Sequence, residues 1–119
     1  MSIRREWRKM TQTNIKDLPE GKYFTEIGYS QRYPWAEIGR TATTVKLARV
    51  IVQRDPDWSP EIAPGGFVGH CTNQDEQTWL FKGIKPTDVV TIRKTKRGWS
   101  NKGVTFVEDM AWEFYDYNF

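Results

Sequence analysis

The strongest β-strand signal in the chain is the stretch Thr43-Thr44-Val45-Lys46-Leu47-Ala48-Arg49-Val50-Ile51-Val52-Gln53. It is rich in β-branched residues and contains neither glycine nor proline, a composition typical of strands. If its side chains alternate strictly, the apolar set changes from one face to the other near Ala48 and Arg49. The pattern therefore predicts a β-bulge or a sharp bend at that point, as in the strongly bent strands of small barrels.

Shorter strand-like segments lie on both sides of this stretch. They cover residues 22–27, 35–38, 77–82, 89–94 and 104–107, with a turn predicted over residues 83–88. Prolines at positions 56, 60 and 64 exclude a helix or a central strand over residues 55–66. Six or seven short strands with regularly spaced turns predict a mainly β fold, a small antiparallel barrel or sandwich of SH3-like size.

The length of 119 residues predicts one domain with one modest core. Aromatic residues make up 14% of the chain, and they can fill such a core although aliphatic residues are few. Residues 1–20 are predicted to form an N-terminal arm or a short helix, since Ile3, Trp7 and Met10 have helical spacing. Residues 21–119 are predicted to form the single β-rich domain.

The chain contains no apolar stretch long enough to cross a bilayer. Its N-terminus is charged and lacks the apolar region of a signal peptide. A single cysteine excludes an internal disulfide and suits a reducing compartment. These features predict a cytoplasmic protein.

The only histidine and the only cysteine are adjacent, as His70 and Cys71. Neighbouring side chains of an extended chain point in opposite directions, so His70 is badly placed to activate Cys71 as a nucleophile. With Asp75 and Glu76 they are possible metal donors, but a closed zinc site requires four ligands of nitrogen or sulfur and the chain offers two. We therefore predict no catalytic residue, no metal and no cofactor in this region.

Amides follow this pair at Asn73, Gln74 and Gln77. Amide side chains can order a loop by satisfying its backbone groups, or they can bind the edge of a base or nucleotide. The glycines at 65, 66 and 69 are neither a phosphate-binding loop nor a dinucleotide fingerprint, and they are typical of a tight turn that enters a strand. His70, Asn73 and Gln74 remain candidate binding residues.

A second candidate site is the basic segment near the C-terminus. Residues 91–103 carry five cations and no acid, and they surround one aromatic residue: Arg93, Lys94, Lys96, Arg97, Trp99 and Lys102. Cations beside an exposed ring suit a single-stranded nucleic acid or a nucleotide, because phosphates contact the cations and bases stack on the ring. The alternative is a solvated hairpin whose tryptophan is folded back onto the core.

Three segments carry a family resemblance. They are residues 40–47, the motif Pro64-Gly65-Gly66-Phe67-Val68-Gly69-His70-Cys71-Thr72-Asn73-Gln74 with Gln77 and Trp79, and the ending Glu113-Phe114-Tyr115-Asp116-Tyr117-Asn118-Phe119. They resemble a group of small uncharacterised proteins of bacteriophages and related mobile elements, from about residue 33 to the C-terminus. The resemblance implies a phage context, hence the cytoplasm of an infected or carrier bacterium, and no particular activity.

We therefore expect a non-enzymatic phage-type protein that binds a host protein complex, a nucleic acid or a nucleotide through basic and aromatic surfaces. Inhibition of a host defence system is one role that such binding could serve. Two alternatives stay open: a small enzyme with a dispersed site around His70, and a purely structural phage component.

Overall fold

The computed structural model describes residues 11–64 and 69–118, and within these ranges the regular secondary structure consists almost entirely of β-strands. A single 3-10 turn at Gln74–Glu76 interrupts them. The strands are β1 (Gln12–Thr13), β2 (Ile15–Lys16), β3 (Tyr23–Ile27), β4 (Arg32–Arg40), β5 (Thr44–Arg54), β6 (Ile62–Ala63), β7 (His70–Cys71), β8 (Trp79–Thr95), β9 (Gly98–Asn101), β10 (Val104–Glu108) and β11 (Met110–Ala111). The mainly β prediction is confirmed.

Six of the strands pair in a closed ring. The order is β3-β4-β5-β8-β9-β10, and β10 returns to β3, with every pair antiparallel. Each strand of the ring is therefore paired on both sides over at least part of its length, although β9 pairs with only three residues of β8, Arg93, Lys94 and Thr95. The pairing therefore corresponds to the barrel, rather than to the sandwich, of the two architectures expected.

The longest strand, β8, pairs with β5 along almost its whole length, and its register shifts twice. One shift falls between Ala48 and Arg49 of β5, at the predicted position, but the extra residues 86–88 lie on β8 and not on β5. The predicted turn over residues 83–88 is wrong, because these residues lie inside β8. Gly83 adopts a positive φ of 149°, and Pro86 lies among the unpaired residues at the first shift. Glycine and proline mark bulges here instead of a chain reversal.

The apolar residues form two clusters on opposite faces of the ring. Phe24, Trp35, Val45, Leu47, Ile92, Trp99 and Phe106 form the inner cluster. Ile15, Tyr23, Ala36, Val50 and Ala111 form the outer cluster. Adjacent residues such as Phe24 and Tyr23 belong to different clusters, as alternation requires. The expectation of one core was too simple, because the outer face of the barrel is partly covered as well.

That cover includes part of the predicted N-terminal arm. Strand β1 pairs in parallel with β11, and β2 pairs in parallel with β8. Ile15 is buried in the outer cluster. Residues 11–20 contain no helix, and the predicted helix through Ile3, Trp7 and Met10 lies outside the described residues.

Candidate functional site

Two tight turns in the basic segment lie one at each end of strand β9. Lys96 and Arg97 form the turn between β8 and β9, and it is closed by Gly98 at a φ of 106°. Lys102 and Gly103 form the turn between β9 and β10, both with positive φ (48° and 83°). Positive φ at both central residues is the geometry of a type I′ hairpin turn, which accommodates glycine readily. The cations thus lie at or beside both ends of the four-residue strand β9.

All five cations of this segment are exposed. The ion pairs of the described residues use Lys16, Arg40 and Arg49 as their cations, so Arg93, Lys94, Lys96, Arg97 and Lys102 pair with no described carboxylate. Residues 91–107 contain no Asp or Glu. Unpaired charges of one sign that cluster on one part of a protein surface attract an anionic partner.

Trp99 is in the core and is not an exposed stacking platform. Only 9% of its surface is accessible, and its ring packs edge-on against Phe24 at a centroid distance of 5.9 Å. The cationic groups of Arg40 and Lys94 lie 5.4 and 5.2 Å from its centroid. The structure therefore has the alternative arrangement of this hairpin, in which the tryptophan is folded back and two cations lie over the ring.

The barrel brings a further cation to this region. Lys46 of β5 is exposed between two inward residues, Val45 and Leu47, and it pairs in register with Thr91 of β8. Sequence reasoning missed Lys46 because it lies 50 positions or more from the hairpin turns, although a lysine between two apolar residues of a strand is expected to be exposed. We call the six cations Lys46, Arg93, Lys94, Lys96, Arg97 and Lys102 the basic surface.

His70 and Cys71 point in opposite directions on β7, as their adjacency predicted. His70 is exposed, and its imidazole makes no hydrogen bond, ion pair or ring contact with the part of the chain that the structure describes. Cys71 is 2% exposed, and its Sγ lies 3.4 Å from Oδ1 of Asn73. Gly69 has a packing role, since a Cβ there would lie 2.1 Å from Cγ2 of Ile62.

The amides of the motif bind the C-terminal segment, which we define as residues 113–118. Gln77 donates to the Tyr115 carbonyl and accepts from the Tyr115 amide. Gln74 accepts from the Tyr117 amide, and the Asn118 side chain bonds both backbone groups of Cys71. Asn73 bonds the backbone of Ser59 and Glu61. These amides order their own loop, and their bonding capacity is largely used by backbone.

The two sets of candidate residues lie at opposite ends of β8. The motif loop leads into its first residue, Trp79, and the basic hairpin follows its last, Thr95. His70, Asn73 and Gln74 are therefore not neighbours of the basic turns, and a site that combines both sets is not formed. Across residues 11–64 and 69–118 no group of His, Cys, Asp and Glu is arranged to hold a metal ion.

Glu113 is a largely buried ionisable residue that the sequence did not identify as a candidate. Its side chain is 13% exposed, and Oε1 lies 3.5 Å from Nη2 of Arg49 without the geometry of a hydrogen bond. Burial raises the pKa of this carboxyl from 4.5 to about 7, although the guanidinium of Arg49 opposes the change. Arg49 is held by the Pro34 carbonyl and lies 4.9 Å from the ring centroid of Tyr33.

Comparisons with known protein families, curated proteins and solved structures gave no match. None of the helical structure in the described ranges is long and apolar enough to cross a membrane.

Proposed function

We propose that the protein works by binding nucleic acid through the basic surface, without catalysis. The observation that carries the proposal is the set of exposed cations at the two β9 turns, which have no carboxylate partner in the described chain. Release of counterions from a polyanion is the main driving force available to such a surface.

The composition of the surface favours nucleic acid over a protein complex. Protein interfaces are enriched in aromatic residues and depleted in lysine. The basic surface has four lysines among its six cations, and the aromatic ring beside it, Trp99, is buried. A large number of unpaired lysines with no exposed ring is more typical of contacts with phosphates.

The spacing of the cations favours a polymer over a free nucleotide. Lys96 and Arg97 lie at one end of β9 and Lys102 lies at the other end. A strand of this length spans about 13 Å, which exceeds the reach of one nucleotide's phosphates. The phage context that the motif implies makes phage or host nucleic acid the natural ligand, and opposition to a host defence system a role that such binding could serve.

The test is fluorescence anisotropy with a labelled oligonucleotide over a salt series. The parent protein should bind at low salt, and its affinity should fall linearly on a logarithmic plot as salt rises from about 50 to 200 mM. The double variant Lys96→Glu/Arg97→Glu should bind at least about tenfold more weakly, because two phosphate contacts become repulsive.

The matched control is Lys82→Glu/Lys85→Glu, which changes net charge equally in the other half of β8, where both lysines are exposed. This control should retain the parent affinity. Thermal melting of each variant establishes that the barrel is intact. Absence of binding at low salt, or equal loss in both double variants, would overturn the proposal.

A further inference from the structure

The outer face of the barrel beside the basic turns carries a row of hydroxyl side chains and cations. The inner cluster contains Val45, Ile92, Trp99 and Phe106, so their sequence neighbours point outward. Thr44, Arg93, Ser100 and Thr105 are consecutive register partners across β5, β8, β9 and β10. Partners in register lie on the same face, so these four side chains form one row.

A second pair extends this row along the strands. Lys46 and Thr91 are register partners on the same outer face, two residues along from Thr44 and Arg93. Lys46 and Arg93 are therefore diagonal neighbours, with their Cα atoms about 7–8 Å apart. The row itself crosses three strand-to-strand steps of about 4.8 Å, so it is about 14 Å wide.

This face can hold phosphates, but it offers nothing that stacks on a base. Its residues Thr44, Lys46, Thr91, Arg93, Ser100 and Thr105 are hydroxyl donors and cations, the groups that contact the sugar-phosphate backbone. Single-strand binding proteins instead use exposed aromatic rings along a basic groove. The one aromatic residue on β9, Trp99, points inward.

We infer that the nucleic acid bound is a double helix, held by its phosphate backbone on the outer face of β5, β8, β9 and β10, with Lys46 and Arg93 as its central contacts. This inference rests on the proposed function. Binding of this kind is independent of base sequence and does not require unpaired bases. The turn cations Lys96, Arg97 and Lys102 extend the contact at the two ends of β9.

The test compares a labelled DNA duplex with each of its separated strands, in an AT-rich and a GC-rich version. The duplex should bind at least as tightly as either strand, and both versions should bind equally. Lys46→Ala/Arg93→Ala should weaken duplex binding and lower the slope of the salt dependence by about 2, which is about one for each lost phosphate contact. Lys82→Ala/Lys85→Ala should leave affinity and slope unchanged.

The outcomes separate this inference from the proposed function. If single strands bind at least about tenfold more tightly and quench tryptophan fluorescence, bases stack on the protein. The inference that the ligand is a double helix is then wrong. If Lys96→Glu/Arg97→Glu weakens binding and Lys46→Ala/Arg93→Ala does not, the outer face is not the contact surface and the proposed function stands. If neither form of DNA binds but an acidic polypeptide does, both proposals are wrong.

Discussion

At the scale of single residues, two carboxyl groups respond to burial in opposite ways. Asp55 is 2% exposed, but Lys16 lies 2.6 Å away, and the hydrogen bond from Lys16 holds the pKa of this carboxyl below its ordinary value. Glu113 has no hydrogen bond to its buried Oε1, and its pKa is raised to about 7. A close hydrogen-bonded cation stabilises the charged form, while burial alone favours the protonated form.

The raised pKa of Glu113 predicts stability that decreases with pH in the neutral range. The folded state holds this proton more tightly than the unfolded chain, so the stabilisation is complete below pH 4.5 and is lost as pH rises through about 7. The difference corresponds to about 3 kcal/mol. Asp55 stabilises the fold above its ordinary pKa, and this stabilisation is lost only in acid. Its contribution to the free energy of unfolding is therefore constant in the neutral pH range.

Glu113→Gln should therefore flatten the dependence of the free energy of unfolding on pH between about 5 and 8. Urea unfolding followed by circular dichroism at several pH values measures this. The control Glu76→Gln removes an exposed carboxyl and should leave the parent slope. A slope retained in Glu113→Gln would show that another group is responsible.

At the scale of elements, the C-terminal segment has no regular strand of its own and is held by a backbone bridge between Phe114 and Arg32 and by side chains from elsewhere. Gln77 is 2% exposed and takes both backbone groups of Tyr115, as a neighbouring strand would. Replacing it with leucine removes both bonds and leaves the Tyr115 groups without those partners. The cost is expected to be about 1–3 kcal/mol, because each of the two lost hydrogen bonds contributes about 0.5–1.5 kcal/mol.

Hydrogen exchange measures this effect locally. The backbone amides of Tyr115 and Tyr117 should exchange faster in Gln77→Leu than in the parent protein. The amides of β5 should remain the more slowly exchanging ones in both proteins. Gln53→Leu, an exposed position on β5, is the matched control and should leave Tyr115 protected. Equal exchange at Tyr115 in the parent and in Gln77→Leu would mean that Gln77 does not hold the segment.

A structural feature could be predicted when it is set by residues close together in the sequence, and not when it depends on residues far apart. The change of apolar face at Ala48 and Arg49 predicted the position of a register shift, but the bulge itself lies on β8, opposite these residues. The clustering of the basic residues was predictable, since they lie close together in the sequence, but strand β9 with a turn on each side was not, because a single hairpin was expected there. Gly83 and Pro86 misled, because a bulge and a turn use the same residue types and only pairing with β5 distinguishes them. The bonds of Gln77 to Tyr115 join residues 38 positions apart, which no local pattern encodes.

At the scale of the whole molecule, the two apolar clusters share the same strands. Leu47 and Val50 both belong to β5, but Leu47 is in the inner cluster and Val50 is in the outer cluster. If the strands separate, both clusters lose their packing, because the two clusters lie on opposite faces of the same strands. We therefore expect the barrel and its outer cover to unfold as one cooperative unit.

Leu47→Ala and Val50→Ala test this cooperativity. The first should lower the free energy of unfolding by about 2–5 kcal/mol and the second by about 1.5–3 kcal/mol, since each removes buried methyl groups. In both variants, tryptophan fluorescence and far-ultraviolet circular dichroism should report the same midpoint in urea. Ile51→Ala, an exposed neighbour at 39% accessibility, should have a smaller effect than either. Two separate transitions in Val50→Ala would contradict the shared unit, because they would mean that the outer cover detaches before the barrel opens.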